Sequence, residues 1–150
     1  METPEALFEK ARQRALEARL PYAGALLPDE VQALLQSNVG ARLVDVRTKA
    51  ELEWVGRVPG AIEIEWNSWP GSQPNASFIA QLQAAVPAGT PLLFMCRSGV
   101  RSHNAATAAT QAGFAQSINV LQGFEGDKDP LGQRNNIGGW RKAGLPWTQS

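Results

Sequence analysis

Four short apolar runs, RLVDV at 42–46, IEIE at 62–65, LLFM at 92–95 and INVL at 118–121, are too short for buried helices, and helical stretches at 76–85 and 102–112 separate the last three. This alternation leaves few folds open. Short apolar strands joined by helices run parallel with right-handed crossovers, and helices then cover both faces of the sheet. The expected class is therefore α/β. A chain of 150 residues removes roughly 70% of its unfolded surface from water on folding, so one domain forms without disulfide or metal. The 14 Lys+Arg balance the 14 Asp+Glu. No broad field gathers nucleic acid or an acidic membrane, so an anion site has to come from local groups.

The ends of the chain are read from their punctuation. Thr3, Pro4 and Glu5 are an N-cap and first turn, and Leu7, Phe8, Ala11, Ala15 and Leu16 follow at helical spacing. This predicts a helix to about Arg19, broken by Pro21 to Gly24 and either docked on the main domain or used for self-association. The expected division is a helical extension at 1–23 and a main domain at 24–150. A second helix starts at Pro28 behind Leu27, a poor cap, and stops near Asn38 to Gly40. Asn75 caps the 76–85 helix, and Gly113 is the C′ residue of the 102–112 helix. The Gly-, Asp-, Asn- and Pro-rich tail at 123–147 reads as an ordered surface loop with one helical turn around Trp140 to Ala143. The N-terminus lacks the apolar run of a signal peptide or membrane helix, so a soluble, cytoplasmic protein is expected.

Chemistry concentrates in LLFMCRSGVRSHNAA, where an apolar strand runs into Cys96, then Arg97, Ser98, Gly99, Val100 and Arg101, and a small-residue helix follows. Amides of such a loop point to its centre, and the helix N-terminus adds partial positive charge. The favoured anion is the Cys96 sulfur. A cysteine beside arginine at a helix N-terminus is available as a thiolate nucleophile. Free cysteines ending buried strands are more often core residues. Two arginines and a glycine within five residues favour the nucleophile here. Arg97 and Arg101 are assigned to an anionic substrate, Ser98 and Val100 to backbone contacts, and Gly99 to a positive φ or close substrate approach. With one cysteine in the chain, an intramolecular disulfide, a CxxC pair and a multi-Cys zinc site are excluded.

CRSGVRS, preceded by LVDVRTKAELEWVGRVPGA at 43–61 and followed by NVLQGFEGD at 119–127 and GWRKAGLPW at 139–147, resembles a single-domain rhodanese over residues 24–147. The resemblance implies a rhodanese-like fold, a central five-stranded parallel sheet flanked by helices, with the N-terminal helix as an addition. It also implies a sulfurtransferase that carries sulfur as a persulfide on Cys96, taken from thiosulfate or a persulfide donor and passed to cyanide or a thiol. Neither a metal nor an organic cofactor is implied. The partners are a small anionic sulfur donor, a thiophilic acceptor and a sulfur-relay protein, with no nucleic acid or membrane. Asp45, Arg47 and Glu51 match the DVRxxxE segment, and with Ser102 they are assigned to structural support of the site.

Arg57 in GRVPGA stands where many relatives carry histidine, and little mechanistic effect is expected. Trp54, Trp66, Trp69 and Trp140 are candidates for the pocket rim, although tryptophan is usually packing. His103, with no partner in sequence, is assigned to the surface. A cysteine phosphatase or arsenate reductase is disfavoured because those enzymes resemble Cx5R, whereas Cys96 and Arg101 form Cx4R. A non-catalytic rhodanese-like module is disfavoured by the presence of Cys96.

Overall fold

The computed structural model describes residues 2–149. The chain runs α1 (Pro4–Ala18), β1 (Gly24–Leu26), α2 (Pro28–Gln36), β2 (Arg42–Asp45), α3 (Lys49–Trp54), β3 (Ile62–Glu63), α4 (Phe78–Ala85), β4 (Leu92–Met95), α5 (Val100–Gln111) and β5 (Ser117–Val120). The five strands form one sheet in the order β1-β5-β4-β2-β3, and every pairing is parallel. The α/β class and five-stranded parallel sheet agree with the sequence reading.

Strand periodicity divides the core in two. Leu92, Phe94 and Cys96 face a cluster completed by Phe78 and Leu82 of α4 and Ala105, Ala106 and Ala109 of α5. Leu93 and Met95 face the other cluster, with Leu7 and Ala11 of α1 and Val31 and Leu34 of α2. Helices cover both faces as expected. Small residues on α5 bring that helix close to the sheet, which sets its N-terminus beside the end of β4. α1 is capped by Thr3, whose Oγ1 accepts from Ala6 N at 3.1 Å. It packs on β1 so closely that a Cβ on Gly24 would lie 2.6 Å from Ala11 Cβ.

Several elements depart from the sequence expectations. β1 begins on the last residue of the expected Pro21 to Gly24 break and is not expected from the sequence, because three residues are too few to show an alternation. α3 was not anticipated, yet Thr48 and Glu51 form its reciprocal capping box. β3 is shorter than the 62–65 run, but Ile64 N and Trp66 N still donate to Asp45 O and Val46 O, both at 3.0 Å. α4 begins at Phe78 instead of Ala76: Asn75 Oδ1 accepts from Ser77 N at 3.0 Å, making a turn ahead of the helix. α5 begins at Val100, two residues early, behind Gly99 at φ 117°. Leu27 is indeed no cap, and the Glu30 carboxylate accepts its N–H at 2.7 Å instead.

The tail at 123–147 is a surface segment without helix or strand elements, as expected, but it is anchored in the core: Phe124 and Trp140 are fully buried beneath the α1–α2 face. Trp140 Nε1 donates to Pro146 O at 2.8 Å, and Ala143 N donates to Gly139 O at 3.0 Å in the expected helical turn.

Candidate active site

Cys96 follows the last residue of β4 and is buried, with the loop rising over it into α5. Gly99 N donates to Cys96 Sγ at 3.1 Å, and Ser102 Oγ, in the first turn of α5, lies 3.3 Å from the same sulfur. The first amides of α5 have no intrahelical acceptor, so the sulfur sits at the positive end of the helix. Nearby backbone holds the loop from outside: Phe124 N donates to Cys96 O at 2.8 Å and Glu125 N to Arg97 O at 2.9 Å. That contact requires glycine at 123, where φ is +63° and a Cβ would stand 2.5 Å from Cys96 O. Gln122-Gly-Phe-Glu125 is thus a clamp on the loop, a role that the composition of the tail did not disclose.

The supporting carboxylates differ in what they hold. Arg47, fully buried, donates from Nε to Asp45 Oδ1 at 2.9 Å and from Nη2 to Asp45 Oδ2 at 2.7 Å and Gly56 O at 2.9 Å. Its guanidinium lies 4.1 Å above the Phe124 ring, so the pair fastens β2 to the segment that clamps the loop. Arg101 turns to α3, where Nη1 and Nη2 donate to the two oxygens of Glu51 at 2.6 and 2.9 Å. Burial pushes the Glu51 carboxyl up, but Arg101 and the Thr48 donors outweigh it and leave it at about 2. Burial likewise opposes the charge on Arg101, and Glu51 holds that guanidinium above its ordinary value.

A cleft of about 470 Å³ opens beside the loop between α3 and the 67–72 segment, with Glu51, Arg97, Arg101, Trp54 and Trp69 in its walls. Arg97 is exposed, Ser98 and Gly99 are half-buried, and Val100 is exposed on the opposite side of the loop. Trp54 and Trp69 stand 75% and 65% exposed at the cleft, whereas Trp140 is buried and Trp66 packs edge-on against Phe78. Of these four candidates, two therefore stand at the rim and two pack in or against the core. Arg57, at the position of the sequence departure, pairs with Glu53 and Glu63 away from the sulfur. His103 is corrected from a lone surface residue: Nδ1 lies 2.7 Å from Tyr22 Oη, and the ring is half-buried. Among the described residues no cluster of His, Cys, Asp and Glu could hold a metal ion, and no helix is long and apolar enough to cross a membrane.

The geometry is a buried cysteine sulfur with one backbone donor, Gly99 N, and the Ser102 hydroxyl beside it, at the carboxyl edge of a parallel sheet. A family model for the rhodanese-like domain matches residues 27–129. An uncharacterized protein of Rickettsia conorii is 33% identical over 117 residues, which cover 76% of this chain and 88% of that protein. The crystal structure of Rv0390 from M. tuberculosis superposes with a TM-score of 0.79 at 41% identity, covering 86% of this chain and 99% of that one. The polysulfide-sulfur transferase homodimer of Wolinella succinogenes has a TM-score of 0.60 at 19% identity, covering 100% and 95%, and shares the fold. Family model, sequence relatives and fold agree with the Cys96 loop, and the chain belongs to the rhodanese-like domain family.

Proposed function

We propose that the protein is a sulfurtransferase that carries sulfane sulfur as a persulfide on Cys96. The observation that carries this reading is the Gly99 N–H directed at Cys96 Sγ at 3.1 Å, at the N-terminus of α5. A donor aimed at a buried sulfur stabilises negative charge there, on the thiolate and then on the terminal sulfur of a persulfide. With thiosulfate as donor, the Cys96 thiolate attacks the outer sulfur. The new S–S bond forms as the S–S bond of thiosulfate breaks, and sulfite leaves with the bonding pair. Cyanide or a thiolate then attacks the terminal sulfur of the persulfide, and the Cys96 thiolate departs with its electrons. Arg97, exposed in the cleft wall, attracts the anionic donor. No proton has to be moved in the cyanide reaction, so no acid or base is required beside the sulfur. Sulfur transfer is also the activity in the name of the Wolinella neighbour.

The test is intact mass after incubation with thiosulfate. Wild type gains one sulfur atom, cyanide removes it, and Cys96→Ser gains none. A wild type that takes no sulfur from thiosulfate or from any persulfide donor overturns the reading.

A further inference from the structure

The carbonyls around Cys96 are tied outward, and in a trans peptide the following N–H lies opposite the carbonyl. Each tie therefore aims an amide. Backbone donors from the 122–126 segment hold the carbonyls of Cys96 and Arg97. The third tie is different. Gly99 O accepts from His103 N at 3.2 Å within α5 and also from the side chain of Asn119, whose Nδ2 lies 3.2 Å away.

Asn119 is a polar residue on an interior strand of the sheet. It lies in β5 with Phe94 of β4 on one side and Ala25 of β1 on the other, and it is 4% exposed. Its Nδ2 also lies 3.4 Å from Tyr22 Oη, which in turn is 2.7 Å from His103 Nδ1. Since His103 N reaches the same carbonyl, Gly99, His103, Tyr22 and Asn119 close a ring of contacts under the crest of the loop. The amide can face only one way, because turning it would set Oδ1 against the Gly99 carbonyl. In that orientation Oδ1 is buried without a partner among the described residues. A packing role would favour an apolar side chain at this position; the donor on Gly99 is retained at the expense of an unpaired acceptor.

We infer that Asn119 is a positioning residue for sulfur transfer, which with Tyr22 and His103 fixes the Gly99–Val100 peptide and so holds in place Gly99, whose own N–H donates to the Cys96 sulfur. The inference rests on the sulfurtransferase reading for its kinetic consequence and on the ring geometry for its structural one. It also gives the segment ahead of β1 a part in the site, through Tyr22.

Asn119→Leu keeps the shape and removes the donor, and Tyr22→Phe keeps the ring and removes the hydroxyl. In single-turnover loading of Cys96 from thiosulfate, Asn119→Leu is expected to slow the rate constant about tenfold and Tyr22→Phe about two- to threefold. Half-saturating thiosulfate stays within about twofold in both, because Arg97 and the cleft are untouched. Amide exchange at Gly99 and Val100, followed by NMR, quickens in both variants. Wild-type loading rates in both folded variants overturn the inference, as does a half-saturation that rises in step with the loss of rate. If Asn119→Leu does not fold, Tyr22→Phe decides by the same criteria. If wild type itself takes no sulfur, the functional reading fails and the positioning role of Asn119 is decided by exchange alone: unchanged exchange in the variants overturns it, and faster exchange supports it.

Discussion

Asp45–Arg47 and Glu51–Arg101 are both two-pronged arginine–carboxylate pairs whose acids lie in DVRTKAE, yet they occupy opposite environments. The first spans two residues, is fully buried and stacks on Phe124. The second spans fifty residues, joins α3 to α5, and keeps side chains 19% and 21% exposed at the cleft. Burial decides what each pair can do. A charge pair without water is costly to break on one side, because the remaining partner cannot be resolvated, and it serves as a bolt. A pair at a cleft wall can exchange its partner for water or for a bound anion, so it can tune the site while contributing less to the fold. Among the described residues Arg47 Nη1 is itself unpartnered, which leaves this guanidinium dependent on Asp45, Gly56 O and the Phe124 ring.

Breaking the buried pair should produce the largest effect. Arg47→Met strands the Asp45 carboxylate in the core and removes the contact that holds Phe124. Urea denaturation is expected to show a loss of about 3–5 kcal/mol. The loop clamp at 123–126 should loosen with it, so sulfur loading falls even in the fraction that remains folded. A loss below about 1 kcal/mol would place Arg47 among ordinary surface pairs and end the contrast.

Breaking the rim pair should be milder and should show in binding. Glu51→Gln removes the carboxylate that neutralises Arg101 and leaves a cation in the cleft wall beside Arg97. Stability is expected to fall by about 1–2 kcal/mol, while the KM for thiosulfate drops about two- to fivefold because the dianion meets an additional free charge. High salt should erase most of that gain. A KM that rises would show that Glu51 matters for holding Arg101 in place and that its charge does not restrain anion binding.

How legible these features were in the sequence follows from the range of each interaction. Strand and helix alternation and the Cys96 loop are local patterns, and the loop's helix starts only two residues from its expected position. The Thr48–Glu51 box is local too and marks a helix start, although the DVRxxxE motif that contains it specifies only the carboxylate. The Glu51–Arg101 pair is not local: nothing in a single sequence says which carboxylate fifty positions away takes the arginine of an anion loop. Phe124 and Trp140 were hidden for another reason, since two buried aromatics in a Gly- and Asp-rich stretch do not alter its composition. Asn119 carried a faint signal, a lone amide in the apolar run INVL, which marks a buried polar group that needs a partner. His103 and Tyr22 are 81 positions apart and meet only because β1 adds to the sheet beside β5.

Acid provides the smallest and most selective probe of the comparison. Glu51 is held at about 2 against an ordinary 4.5: burial works against its charge, and the Arg101 and Thr48 hydrogen bonds more than offset that. Because the folded value lies below the unfolded one, the stabilisation is fully present above about pH 4.5 and drains away as pH falls toward 2. At pH 3.5, part-way through that window, and with allowance for solvent at the rim, about 1 kcal/mol should have been lost. Glu30 titrates in the same window: burial raises its carboxyl, while Arg14, Leu27 N and Lys10 bring it to about 2. Acid destabilisation of wild type alone therefore does not identify the rim pair. The discriminating quantity is the stability gap between wild type and Glu51→Gln, measured by urea unfolding at pH 7 and at pH 3.5. Glu30 is common to both proteins and cancels in that gap, so the gap should narrow by about 1 kcal/mol at the lower pH. If it stays constant, the carboxylate charge is not what holds α3 to α5, and the hydrogen-bonding shape of residue 51, which glutamine shares in part, carries the tie instead.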